Sequence, residues 1–176
     1  FDPTYSLASL LRASMGNTDP YITVSKELSY IRDYIQIQKA RFRDKIQANI
    51  AVEPALMPVM IPKLILQPIV ENALLHGIMM KEEKKGTILL TGWKEGNDIV
   101  FIISDDGAGI PPEKLDSLLD EHTQAVVGSS SRHIGVSNTN LRLKSLYGSK
   151  YGLSFTSVPG QGTEVTLRIP ALEDEF

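Results

Sequence analysis

Apolar residues are spaced three or four apart up to about Asp44 and two apart just after it, and this change orders the chain into helix first, sheet second. Leu28, Ile31 and Ile35, continued by Gln38 or Lys39, share one face of a predicted helix over 25–42, with Ser25 as candidate N-cap. Ile46, Ala48, Ile50 and Val52 then alternate, as in a strand with one buried face. A shorter helix is predicted over 5–15 from Leu7, Leu10 and Leu11. It ends at GNTDP (16–20), where glycine allows positive φ and proline lacks a donor.

Downstream, Pro62 suits the first position of a helix over 62–76, with Gly77 as its stop. Pro68 then belongs in a first turn or at a kink, since an interior proline costs about 3 kcal/mol. Segments 87–93 and 98–104 flank Gly96-Asn97 as one hairpin, and 151–158 and 163–169 flank 159–162 as another. Helices are predicted over 111–119 and 135–147. Residues 120–133 show no apolar period and read as a long mobile loop, of a length that is usually functional or disordered.

About five strands, largely in antiparallel hairpins, with helices for one face define an α+β fold, a two-layer α/β sandwich with an N-terminal helical appendage. The expected division is 1–43 for the appendage, 44–171 for the sandwich and 172–176 for a tail. No βαβ run with a glycine-rich first turn occurs, which argues against a dinucleotide-binding domain.

Composition narrows the chemistry. With no cysteine, disulfides, thiolate metal sites and cysteine nucleophiles are excluded. A net charge of −3 argues against a nucleic-acid partner. No apolar run approaches the ~18 residues of a membrane span, and no signal peptide opens the chain. The start at Phe1 is expected of a piece of a longer protein, in which a membrane anchor can lie elsewhere. G-x-S-x-G, Walker A and protein-kinase signatures are missing.

Four segments can carry chemistry, each with a plain structural reading beside it. Asp105 ends an apolar strand and is followed by Asp106, Gly107, Ala108, Gly109 and Ile110. A carboxylate only accepts hydrogen bonds; adenine offers an amine where guanine offers a carbonyl, so an acid there selects adenine. The same residues also make an ordinary acidic turn. Asn72 and His76 share a helix face, with Glu71 beside them. An amide oxygen suits Mg²⁺ when phosphates and water complete the shell, and His76 can donate to phosphate. Alternatively His76 only complements the helix dipole. Arg132 and His133 precede Gly135 and Val136 at a helix start, where free N–H groups favour phosphate. GQGTEV (160–165) delivers Thr163 into a strand, or is simply a hairpin.

In this order the segments resemble the N, G1 and G2 boxes of the Bergerat ATP-binding (GHKL) fold of histidine kinases, gyrase-type ATPases and related chaperones. YIRDYIQIQKARF (30–42), IPKLILQPIVENALLHG (61–77) and GQGTEVTLRIP (160–170) are more closely similar to the C-terminal part of LytS/YesM-type sensor histidine kinases. The resemblance covers about residues 5–171. It implies Asn72 as Mg²⁺ ligand and Asp105 as adenine anchor, with Gly107, Gly109 and Ile110 at the base. Gly135 and Val136, with Arg132 and His133, would lie at the phosphates, Thr163 near Asp105, and 120–134 would form the ATP lid. Glu71 and His76 join Asn72 as candidate catalytic residues.

Three positions depart from the pattern. His133 stands where the G2 box usually has its first glycine. Pro68 stands where gyrase-type ATPases carry their water-activating glutamate. The phosphoacceptor histidine is missing, because His76, His122 and His133 all lie in other contexts.

The resemblance therefore implies the ATP- and Mg²⁺-dependent catalytic domain of a two-component sensor histidine kinase. This transferase passes the γ-phosphoryl to a histidine on a separate helical domain, for relay to a response regulator. The implied setting is the cytoplasmic side of a homodimeric parent in the bacterial membrane. The helix over 25–42 would join the two domains, with an apolar face left exposed for weak association. The alternatives are a GHKL-type ATPase, for which Pro68 supplies no base, and a degenerate protein-interaction module.

Overall fold

The computed structural model describes residues 19–118 and 134–171. The helix expected over 5–15, the loop over 120–133 with Arg132 and His133, and the tail 172–176 lie outside the described residues.

Strand β1 (Tyr21–Thr23) leads into helix α1 (Val24–Phe42), then β2 (Ile46–Val52) and β3 (Met60–Pro62). Helix α2 (Gln67–Asn72) continues through a π turn (Ala73–Gly77) and a 3-10 turn (Ile78–Met80). Strands β4 (Gly86–Glu95) and β5 (Asp98–Asp105) form a hairpin. They are followed by α3 (Pro112–Leu118), α4 (Ile134–Tyr147) and a second hairpin, β6 (Gly152–Val158) with β7 (Gly162–Pro170).

The main sheet has five strands in the order β2-β4-β5-β7-β6. Only β2–β4 is parallel; the other neighbours run antiparallel, in line with the sandwich read from the hairpins. Ile88, Leu90, Ile99, Phe101, Ile103, Val165, Leu167 and Ile169 face the helices and are buried. On the opposite face Leu89 is 40% exposed, whereas Val100 is 2% exposed.

The N-cap of helix α1 lies two residues before the expected one. Thr23, extended at φ −69°, accepts from the Lys26 N–H at 3.1 Å, so Thr23 and not Ser25 is the N-cap. Val24, Leu28, Ile31 and Tyr34 are at most 2% exposed and pack in one core with Ile61, Ile69, Leu74 and Phe101. The apolar face expected to be left open for association is therefore covered by the sandwich itself. Lys39 and Arg41 fall in the last turn, where cations complement the dipole.

Pro62 does not begin a helix. It ends β3, which pairs antiparallel with β1 through Tyr21↔Pro62, Ile22↔Ile61 and Thr23↔Met60. This two-stranded sheet was not expected, because three-residue strands carry too few alternations to show a period. The helix begins at Gln67, with Pro68 in its first turn, where a missing N–H costs nothing.

Candidate functional site

Asp105 is the last residue of β5 and faces Thr163 on β7. Its Oδ1 accepts from the Gly107 N–H at 2.8 Å. Burial raises its pKa to about 6, with the Asp106 charge adding to the rise, while the Gly107 and Thr163 N–H groups oppose it. Asp106 points away: its Oδ1 accepts from the Thr87 N–H at 2.7 Å, tying the turn to the start of β4.

The turn after Asp105 is stitched to three elements. Ala108 N–H donates to the Gly77 carbonyl at 3.0 Å, and Gly160 N–H donates to the Ala108 carbonyl at 2.7 Å. Gly109 has φ +72°, and a Cβ there would lie 2.3 Å from the Val158 carbonyl oxygen. Ile110 N–H donates to Ser157 Oγ at 2.8 Å; that hydroxyl also contacts the Gly162 carbonyl at 3.0 Å and Thr163 Oγ1 at 2.8 Å. Thr163 is thus held between Ser157 and Asp105.

Helix α2 reaches this turn with its far end. A Cβ on Gly77 would sit 2.6 Å from Asp105 Oδ1, and one on Gly107 would sit 2.2 Å from the Gly77 carbonyl carbon. Two bare backbones therefore let the helix end press on the carboxylate. Asn72 lies five residues earlier, a rise of roughly 7–8 Å. It is half-buried, as are Glu71 and His76. Glu71 Oε1 accepts from Gln67 Nε2 at 3.0 Å. Burial raises the Glu71 pKa, and that hydrogen bond opposes the rise.

Helix α4 meets the near end of α2. Gly135 lies in its first turn, and a Cβ there would be 3.6 Å from Pro68 Cβ, an ordinary contact. Ser137 Oγ donates to the Leu118 carbonyl at 2.8 Å, and Asn140 Oδ1 accepts from the Leu153 N–H at 2.9 Å. These bonds anchor α4 between α3 and β6. Val136 is 2% exposed within the core, so it can face a ligand only through backbone.

Of the residues singled out from sequence, Asp105, Gly107, Gly109, Ile110 and Thr163 converge at one end of the sheet. Asn72, Glu71 and His76 lie along the helix that ends there, with Gly135 at its other end. Arg132 and His133 fall outside the described residues. Three neighbours escaped the sequence reading: Gly77 as a wall of the site, Gln67 as partner of Glu71, and Ser157. Ser157 was accessible in principle, because it continues the alternation of Leu153 and Phe155.

Phosphate-rich ligands suit this arrangement: a recessed acceptor for an amine, an amide and a carboxylate one helix apart, and a helix opening at their side. The donors at Asn72 and Glu71 are hard oxygens, as Mg²⁺ prefers. Among the described residues no cluster of three or more His, Cys, Asp or Glu could hold a metal alone, so such an ion would share ligands with a phosphate.

The fold is that of histidine kinase catalytic domains. The histidine kinase domain from Erythrobacter litoralis EL346 blue-light activated histidine kinase superposes with a TM-score of 0.61 at 20% identity, covering 89% of this chain and 66% of that one. The catalytic domain of histidine kinase ThkA gives 0.61 at 12% identity, covering 86% and 95%. The family model described as histidine kinase-, DNA gyrase B-, and HSP90-like ATPase matches residues 60–173, and a histidine kinase model matches residues 2–46. The chain belongs to this ATPase family, as an ATP-binding catalytic region of the histidine kinase type.

Among curated relatives, sensor histidine kinase BtsS of Escherichia coli (strain K12) is 30% identical over 164 residues, 93% of this chain and 26% of that protein. Sensor histidine kinase/phosphatase LytS of Staphylococcus aureus (strain Mu50 / ATCC 700699) is 30% identical over 152 residues, 86% and 26%. The putative uncharacterized protein YwpD of Bacillus subtilis (strain 168) is 34% identical over 173 residues, 97% and 58%. The chain thus spans about a quarter of the length of BtsS and LytS, 26% in each case.

Proposed function

We propose that this chain binds Mg²⁺–ATP between α2 and the start of α4 and transfers the γ-phosphoryl to a histidine on a helical domain of its parent protein. The observation that carries the reading is the contact of Asp105 with Gly77, which puts an amine-accepting carboxylate at one end of the helix bearing Asn72. Asp105 accepts from the adenine amine, with Gly107, Gly109 and Ile110 around the ring. Thr163, steadied by Ser157, supports the carboxylate. Asn72 and Glu71 would hold Mg²⁺, whose chemistry is to neutralise charge on the phosphates. Backbone N–H groups near Gly135 and the positive end of α4 would meet the same phosphates.

Phosphoryl transfer depends mainly on positioning and charge neutralisation. The acceptor imidazole nitrogen bonds to the γ-phosphorus as the bond to the β–γ bridging oxygen breaks, and ADP leaves with that electron pair. The imidazole sheds its proton to solvent; Glu71 would serve beside Asn72 as a polar contributor, and His76 would donate to a phosphate. Pro68 leaves no carboxylate four residues before Asn72 to activate water, which favours transfer over hydrolysis.

The parent is read as a homodimeric two-component sensor that passes the phosphoryl on to a response regulator. The names of BtsS and LytS support a sensor kinase as the parent; a place in the bacterial membrane, with this region on its cytoplasmic side, is part of the proposal. No helix among the described residues is long and apolar enough to cross a membrane. Titration with fluorescent ATP and GTP analogues, each with and without Mg²⁺, tests the proposal. Tight binding of the ATP analogue alone, strengthened by Mg²⁺, is expected. Equal affinity for both bases, or none for either, overturns the reading.

A further inference from the structure

Helix α1 places one carboxylate inside the sandwich. Glu27 is fully buried, and among the described residues no other Asp, Glu, Lys or Arg is. Its Oε1 accepts from the Leu66 N–H at 3.2 Å, just before α2, and the N–H groups of Ile65 and Gln67 also act on it favourably. Oε2 is buried without a hydrogen bond. From α4, the Arg142 guanidinium adds its positive charge and donates to the Lys63 carbonyl in the same segment. Between those anchors Leu64 holds φ +59°, a conformation that a leucine keeps only under constraint.

We propose that Glu27 is a positioning residue for nucleotide use: from α1 it caps the start of α2 and so sets where Asn72 stands relative to the phosphates. This rests on the nucleotide reading above. Leu66 precedes Asn72 by six residues, less than two helical turns, so a shift at the cap carries to the amide undiminished. Arg142 binds the same segment from α4, whose first turn lies against Pro68. One polar cluster, with Glu27 buried and Arg142 at the surface, therefore joins α1 to both helices proposed to face the phosphates. Movement of α1 reaches the metal-binding amide through a polar contact, while the helix end at the adenine pocket stays pinned by the Ala108 N–H on the Gly77 carbonyl, the π turn over Ala73–Gly77 taking up the shift between them. A buried carboxylate is costly to keep, and a merely packed position would be filled as well by an apolar side chain.

The whole chain serves for the test. Glu27→Met fills the same volume without an acceptor, Glu27→Asp shortens the arm, and Glu27→Gln keeps an acceptor at full length. Each variant is checked for thermal unfolding, then titrated with a fluorescent ATP analogue without and with Mg²⁺. The expected result for Glu27→Met is wild-type affinity without Mg²⁺ and an approximately tenfold smaller gain on adding it. Glu27→Gln should restore most of that gain. Should Glu27→Met fail to fold, Glu27→Asp carries the test, with a loss of about threefold. A folded Glu27→Met or Glu27→Asp with the full Mg²⁺ gain overturns the proposal. So does a parallel loss of affinity with and without Mg²⁺, which marks a structural role only. A wild-type chain that shows no Mg²⁺ gain instead overturns the nucleotide reading itself.

Discussion

Gly77 lies against the carboxylate of Asp105 so closely that a Cβ would come within 2.6 Å of Oδ1 and 2.9 Å of Cγ. The Asp105 side chain is held by the Gly107 N–H and cannot swing aside without losing that bond. Gly77→Ala is expected to weaken ATP-analogue binding at least tenfold, about 1.4 kcal/mol, with the fold retained by circular dichroism. Unchanged affinity would mean that the helix end does not shape the adenine pocket.

Replacing the carboxylate probes base recognition and the cost of burial together. Asp105→Asn can present a donor to the adenine amine, so ATP-analogue affinity should fall tenfold or more. Ionising Asp105 in place costs the free protein stability at pH 7, because its pKa rises from 3.8 to about 6. The variant avoids that cost, which is up to about 3 kcal/mol. Denaturant unfolding should therefore find it at least as stable as the parent while it binds nucleotide poorly. A destabilised variant that binds normally would contradict both halves.

The same carboxylate gives two pH dependences of opposite sign. A folded pKa raised to about 6 means the native state holds a proton that the unfolded state has lost. The stability from Asp105 is thus fully present below pH 3.8 and is lost as pH rises through about 6. Binding requires the ionised acceptor, so ATP affinity should instead fall as pH drops through about 6. Titrations from pH 5 to 8 should show this step in the parent and not in Asp105→Asn. A step of equal size in both would place its origin elsewhere.

Asn72→Ala removes an oxygen and leaves the core alone, since the residue is only half-buried. Affinity without Mg²⁺ should stay within about twofold of the parent, while the Mg²⁺-dependent gain and phosphotransfer to a supplied helical domain should vanish. Transfer at the parent rate would remove Asn72 from the site.

Helix α1 should behave as part of the sandwich. Ile31 is 0% exposed in the common core, so Ile31→Ala should cost about 2–5 kcal/mol in urea unfolding. One transition monitored at both Trp93 fluorescence and helical ellipticity is expected. A separate early loss of helix would make α1 a detachable linker.

The sequence alone carried α1, the five strands of the main sheet, their hairpins and the order of the binding segments. Those are local properties: the two-residue alternation from Ile46, the Gly96-Asn97 turn and the glycines after Asp105 each declare themselves within a few positions. It also limited Pro68 to a first turn or a kink, because an interior proline costs about 3 kcal/mol, and the structure decided for the first turn. What only the tertiary structure decided are contacts between segments distant in the chain. The β1–β3 pairing joins residues about forty apart through strands of three residues, too short to show a period. Gly77 reads locally as a helix stop; its second role exists only because β5 ends against it. Glu27 reads as an ordinary acid in a first turn, and nothing near it in the chain shows that Leu66 waits beneath. Local sequence sets backbone preference, whereas burial and the closing of a site depend on packing between elements, which no neighbouring residue encodes.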